Sequence, residues 1–213
     1  MDLVQLSKVG VSLGGKPVLR DIDFVLKPGQ IMGISGLNGS GKTTLLRILS
    51  TLLRIREGSG VVLDANIDSN DVFIVRPLIG MIGHKPALIG ELTLHENLLH
   101  VARLTGVEEK KVGAVLAVVG LDEASDRRAD ASSFGMQRRI EVAHLLLTRP
   151  RLLLLDEATS GLDSSARDLI AALTERVVGD GGGVVTVSHD QARLAESCDN
   201  TMSLTEGRLE LVS

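Results

Sequence analysis

Gly36-Leu37-Asn38-Gly39-Ser40-Gly41-Lys42-Thr43 fits the spacing Gly-x-x-x-x-Gly-Lys-Ser/Thr and lies between an apolar run, Ile31 to Ser35, and a helical pattern that begins at Lys42. Strand, glycine-rich loop and helix in that order predict an α/β domain whose loop binds a nucleoside triphosphate. Successive backbone N–H groups can surround dense negative charge only where glycines let the chain curl closely, and Gly36, Gly39 and Gly41 allow that curl. Lys42 brings an ammonium to the β and γ phosphates, and Thr43 brings a hydroxyl to Mg²⁺. The following helix, with Thr44 in its first turn, turns its positive end toward the same charge. A nucleoside triphosphate and Mg²⁺ are the ligands this segment predicts.

Outward from the loop, residues 2–35 read as short strands with turns at Gly14-Gly15 and Pro28-Gly29. The helix is expected to run from Lys42 to about Leu53, with Leu45, Leu46, Leu49, Leu52 and Leu53 on its buried face. Further strands are expected over 60–83, and a helical insertion over about 85–150, where Thr93-Leu94-His95-Glu96 is a capping box. Leu152 to Leu155 is a continuous apolar run of the kind found in parallel strands covered on both faces, and Val184 to Val187 is a second. Ala166, Leu169, Ile170, Leu173 and Val177 mark the crossover helix between them. One domain is expected over 1–213, with its core in 1–84 and 151–213.

Two more groups belong to the same chemistry. Asp156 and Glu157 follow a buried strand, at the edge of an open α/β sheet where ligands bind. There Asp156 can hold Mg²⁺ and Glu157 can orient or deprotonate the water that attacks the γ phosphate. His189 ends the Val184 to Ser188 strand and is expected at the same edge, where its imidazole could bond the γ phosphate. His95, His100 and His144 show no metal-ligand spacing and read as surface or packing residues.

The chain has 213 residues, 44% hydrophobic and 23% charged, enough for a substantial core and without the bias of disorder. A net charge of −4 supplies no global basic field, so no direct nucleic-acid partner is expected. The single cysteine, Cys198, excludes an intrachain disulfide, and no signal-peptide layout opens the chain, which predicts a cytoplasmic location. Apolar runs fall well short of the ~18 residues a membrane span needs, so a membrane role requires a partner chain.

The order of these motifs resembles an ABC ATPase over essentially the whole chain: the 36–43 loop, Ser132-Ser133-Phe134-Gly135-Met136-Gln137-Arg138-Arg139, the Leu152 to Glu157 strand, Ser160-Gly161-Leu162-Asp163, and His189. The resemblance implies a P-loop NTPase core with an N-terminal antiparallel β subdomain and a helical insertion. It also implies that Ser133 and Gly135 belong to a signature segment that reaches ATP held by a second copy, that Ser160 to Asp163 is a D-loop, and that His189 is a switch histidine. A serine, a glycine and a helix start make an anion site in their own right. The implied partners are a second copy or a second ABC ATPase, and an integral membrane permease that holds the subunit at the inner face of the cell membrane.

Three positions depart from the family pattern. Leu13 falls where an aromatic usually stacks on adenine, Phe134 replaces the first signature glycine, and His84 stands where a glutamine is usual. A histidine offers Mg²⁺ or water an acceptor nitrogen only when neutral, with an ordinary pKa of ~6.5, so activity is expected to fall more steeply below neutrality where His84 replaces the glutamine functionally, and not where it is a bystander. Gly83-His84-Lys85-Pro86, with Glu91-Leu92-Thr93 and Glu96-Asn97-Leu98, looks like the haem exporter ATPase of cytochrome c maturation; the signature also occurs among exporters of drugs and lipids, which leaves cargo open. A soluble ABC ATPase acting on nucleic acid or ribosomes, and a non-hydrolysing regulatory subunit, are the alternative classes.

Overall fold

The computed structural model describes residues 1–212. The chain divides into two compact units, one formed by 1–81, 151–157 and 177–212, the other by 82–150 and 158–176. In chain order the elements are β1 Val4–Leu13, β2 Lys16–Leu26, β3 Ile31–Ser35, α1 Lys42–Leu49, β4 Glu57–Val62, β5 Ala65–Asn66, α2 Val72–Val75 and β6 Ile79–Ile82. They continue with α3 Leu94–Thr105, α4 Lys111–Val118, α5 Phe134–Thr148, β7 Leu152–Asp156, α6 Ser164–Gly179, β8 Gly183–Ser188, α7 Gln191–Ser197, β9 Asn200–Thr205 and β10 Arg208–Leu211.

The first unit has two sheets. One is antiparallel in the order β2-β1-β4-β5; the other runs β10-β9-β3-β8-β7-β6. In the second sheet β3, β8 and β7 are parallel, with Ile31 opposite Val184, Ser35 opposite Ser188, and Asp156 opposite Val187. All five residues of β7 are buried, as a parallel strand covered on both faces requires. Because the three strands share direction and register, the segments leaving Ser35, Asp156 and Ser188 emerge at one edge. The Leu, Ile and Val core of this unit includes Leu45, Leu46, Ile48 and Leu49 of α1 together with Leu152, Leu154, Val185 and Val187.

Two local expectations are corrected. Helix α1 stops at Leu49, because Thr51 turns left-handed at φ 59° and the Thr51 and Leu52 N–H groups bond back to Ile48 and Arg47. Leu52 is therefore 65% exposed, not on the buried face. Within 60–83 only β4, β5 and β6 are strands; 72–78 turns helical, ending in a 3₁₀ turn over Arg76–Leu78.

The second unit is helical. Its core joins Leu94, Leu98 and Ala102 of α3, Val112 and Leu116 of α4, and Ile140, Ala143 and Leu147 of α5, with Leu169 of α6 packed on it. The capping box forms as read: the Thr93 N–H donates to Glu96 Oε2 at 2.8 Å and the Glu96 N–H to Thr93 Oγ1 at 3.0 Å. The Thr93 backbone N–H bonding that carboxyl holds it below the usual glutamate range. Among the described residues no helix is long and apolar enough to cross a membrane.

Candidate functional site

The segment Gly36 to Thr43 closes on itself around Lys42. The Lys42 ammonium donates to the carbonyls of Gly36 at 2.7 Å and Leu37 at 3.0 Å, while the Ser40 N–H bonds the Leu37 carbonyl at 3.1 Å. Lys42 is only 7% exposed, so this charge sits in the loop rather than in bulk water. Gly36 and Gly41 are required by close approach: a Cβ on Gly36 would stand 2.5 Å from the Leu204 carbonyl, and one on Gly41 2.8 Å from Leu19. Gly41 also adopts φ 109°, where L side chains are strained.

Helix α1 has no side-chain cap, so the N–H groups of its first turn, including buried Thr44, carry no capping oxygen. Ser40 Oγ is buried without a hydrogen-bond partner among the described residues. Uncapped helix N–H groups, an orphaned hydroxyl and a buried ammonium together fit an anion. Leu37 and Asn38 form the exposed crown of the loop.

Thr43 and Asp156 meet behind the loop. The Thr43 hydroxyl donates to Asp156 Oδ2 at 3.0 Å, and the Asp156 carboxylate is buried. A hydroxyl beside one carboxylate is a hard-oxygen donor pair, and Mg²⁺ commonly takes few protein ligands and completes its shell with water and phosphate. The residues present thus fit the ion.

Glu157 turns left-handed at φ 52°, and its N–H extends the β7–β8 ladder by bonding the Val187 carbonyl at 3.0 Å. Its Oε1 accepts the His189 backbone N–H at 2.8 Å and meets His189 Nδ1 at 2.8 Å; its Oε2 accepts the Ser188 hydroxyl at 3.3 Å. A neutral His189 ring that donates from Nδ1 to Glu157 presents Nε2 as an acceptor. It can give a hydrogen bond to a phosphate oxygen only as imidazolium or after releasing Glu157. Ser188 belongs to no motif, and its one signal in the sequence is adjacency to His189 at a strand end.

Leu13 ends β1, opposite Lys16 across the Gly14-Gly15 turn, and is 42% exposed. The hairpin that carries it abuts the loop, since Val18 and Leu19 lie within 3.4 Å of a Cβ on Gly41.

In the second unit Ser133 caps α5, its hydroxyl accepting the Met136 N–H at 3.3 Å. A Cβ on Gly135 would stand 3.8 Å from Asp163 Oδ2, and Asp163 Oδ1 caps α6 by accepting the Ala166 N–H at 2.7 Å. Ser133, Gly135 and Asp163 therefore gather at one helix start. His84 is exposed in the loop after β6, with its carbonyl bonded by Arg138 at 3.2 Å.

Residues 19–160 match the family described as ABC transporter. The uncharacterized ABC transporter ATP-binding protein YhcH of Bacillus subtilis is 30% identical over 97% of this chain and 68% of its own length. Nod factor export ATP-binding protein I of Rhizobium johnstonii is 32% identical over 96% of this chain and 67% of its own. Among solved structures, an ATP-binding subunit of an ABC transporter superposes with a TM-score of 0.89 at 25% identity, covering 97% of this chain and 88% of that one. A dimeric ATP-binding cassette in a post-hydrolysis state with ADP and Pi superposes with a TM-score of 0.83 at 26% identity, covering 99% of each chain. The fold is that of the ABC ATPases, and the chain belongs to the family of ABC transporter ATP-binding subunits.

Proposed function

We propose that two copies of this subunit, or one copy and a second ABC ATPase, clasp head to tail around Mg·ATP, hydrolyse it, and pass the motion to a separate integral membrane permease at the inner face of the cell membrane. The observation that carries this reading is the meeting of Lys42, the Thr43–Asp156 pair and the Glu157–His189 pair at the end of three parallel strands. In this reading Gly36 to Thr44 wrap the phosphates, Lys42 exchanges its carbonyl partners for phosphate oxygens, and Leu13 offers adenine an apolar contact. Thr43 and Asp156 hold Mg²⁺, which when bound neutralises charge on the β and γ phosphates.

Glu157 accepts the proton of the attacking water, kept in orientation by Ser188 and His189. Ser133, Gly135 and Asp163 complete the site of the other copy with a helix start that carries a hydroxyl and no Cβ. For cargo, the Gly83-His84 pair makes haem the first to test. Relatives named for Nod factor export, linearmycin resistance and methionine import do not narrow it. We assign no direct nucleic-acid partner, in keeping with the net charge of −4.

The test is Glu157→Gln at saturating Mg·ATP. The variant should keep binding, lose at least about 100-fold in turnover, and sediment as an ATP-bound dimer. Turnover at the parent rate refutes the role given to Glu157.

A further inference from the structure

Two consecutive side chains of α5 leave the helix toward different loops of the second unit. Arg139 Nη2 lies 3.7 Å from Asp163 Oδ2. Arg138 turns inward and is 1% exposed: its Nη1 donates to Glu141 Oε2 at 2.6 Å, its Nη2 donates to the His84 carbonyl at 3.2 Å, and its guanidinium carbon stands 5.3 Å from the centre of the Phe134 ring. Glu141, also buried, gives its other oxygen to the Ala87 N–H at 2.8 Å. Further along the same loop, Asn97 of α3 accepts the Ile89 N–H at 2.9 Å and donates to the Ile89 carbonyl at 3.1 Å.

A buried ion pair is weak evidence for stability, because desolvation can exceed the attraction. Here burial is the largest influence on both groups, pushing the Glu141 carboxyl up and the Arg138 guanidinium down, each opposed by the other's charge. Arg138 Nε is moreover buried with no hydrogen-bond partner among the described residues. The pair is thus better explained by what it fixes than by what it contributes to folding. What it fixes is two backbone groups of the loop after β6, tied to the second turn of the helix that Ser133 caps.

We propose that Arg138 and Glu141 are a positioning pair that locks residues 84–87 to the start of α5, so that displacement of this loop carries Ser133 and Gly135 with it. The inference rests on the reading of Ser133 and Gly135 as groups that complete the nucleotide site of a second copy. Neither Arg138 nor Glu141 touches nucleotide; both act through the segment they hold.

The experiment is Arg138→Met with Glu141→Gln in the Glu157→Gln background. Methionine keeps the bulk of the stem, glutamine keeps an acceptor for Ala87, and removing both charges together strands neither. Nucleotide binding by the monomer should stay within about 2-fold, while dimerisation should need about 10-fold more Mg·ATP, measured by sedimentation. Dimerisation on the parent's ATP titration overturns the proposal. A Glu157→Gln parent that fails to dimerise overturns the reading of the site itself, which separates the two failures. If the triple variant fails to fold, amide exchange on the Glu157→Gln parent decides: 84–88 and 133–137 should change protection together on adding Mg·ATP, and independent changes overturn the proposal.

Discussion

Ser40→Ala should move stability and affinity in opposite directions. Ser40 Oγ is buried without a hydrogen-bond partner among the described residues, and a hydroxyl stripped of water without compensation costs about 1–3 kcal/mol. Deleting it from the nucleotide-free protein should therefore stabilise the fold by about 1 kcal/mol, a rise of about 2–4 °C in Tm for a chain of this size. With ATP the sign reverses. A hydrogen bond to a charged phosphate oxygen is worth about 1.5–3 kcal/mol, so the variant should bind Mg·ATP about 10- to 100-fold more weakly. Thermal melts without nucleotide and a fluorescence titration with it read the two effects separately. A variant that melts lower than the parent while binding Mg·ATP with unchanged affinity refutes the account of Ser40.

The other expectations concern the charge in the loop and a buried imidazole. Lys42→Ala removes the ammonium that Gly36 and Leu37 hold in the loop, and should weaken Mg·ATP binding by at least about 100-fold in the same titration, with the melting temperature little changed. His144 in α5 is held below the usual histidine range by burial, so the unfolded chain takes up its proton first as pH falls through 6.5. Its contribution is fully present above 6.5 and is lost as pH drops toward the folded value. His144→Leu should accordingly show a smaller fall in melting temperature between pH 7.5 and 5.5 than the parent, and equal falls contradict the assignment.

Much of this architecture was legible because glycine and apolar runs report backbone geometry directly. The strand, loop and helix around Lys42 follow from glycines spaced for curling, and β7 follows from four consecutive leucines before Asp156. The end of α1 was not legible. Leu52 and Leu53 continue the helical period, but Thr51 adopts the left-handed turn that glycine usually marks. The short helix at 72–75 hid in a β-rich sequence of Val, Phe and Ile, where helix and strand patterns are ambiguous.

The contact of Glu157 with Ser188 and His189 joins residues more than thirty positions apart, and only the pairing of Asp156 with Val187 brings them together. Sequence could say that both groups end strands, not that the two strands are neighbours. The Arg138–Glu141 pair did leave a signal, opposite charges at i and i+3 on one helix, but such pairs usually face solvent. What could not be read was that this one is buried and bonded to a loop some fifty residues earlier in the chain.

An active centre that takes Lys42 from one copy and the Ser133 segment from another is tested most directly by mixing two inactive variants, Lys42→Ala and Ser133→Arg. A mixed dimer pairs one intact loop with one intact α5 start, so ATP turnover absent from either variant alone should reappear, at about a quarter of the parent rate if the chains pair at random. Turnover that stays absent in a mixture shown to contain mixed dimers, or full turnover by a strictly monomeric parent protein, contradicts the shared site.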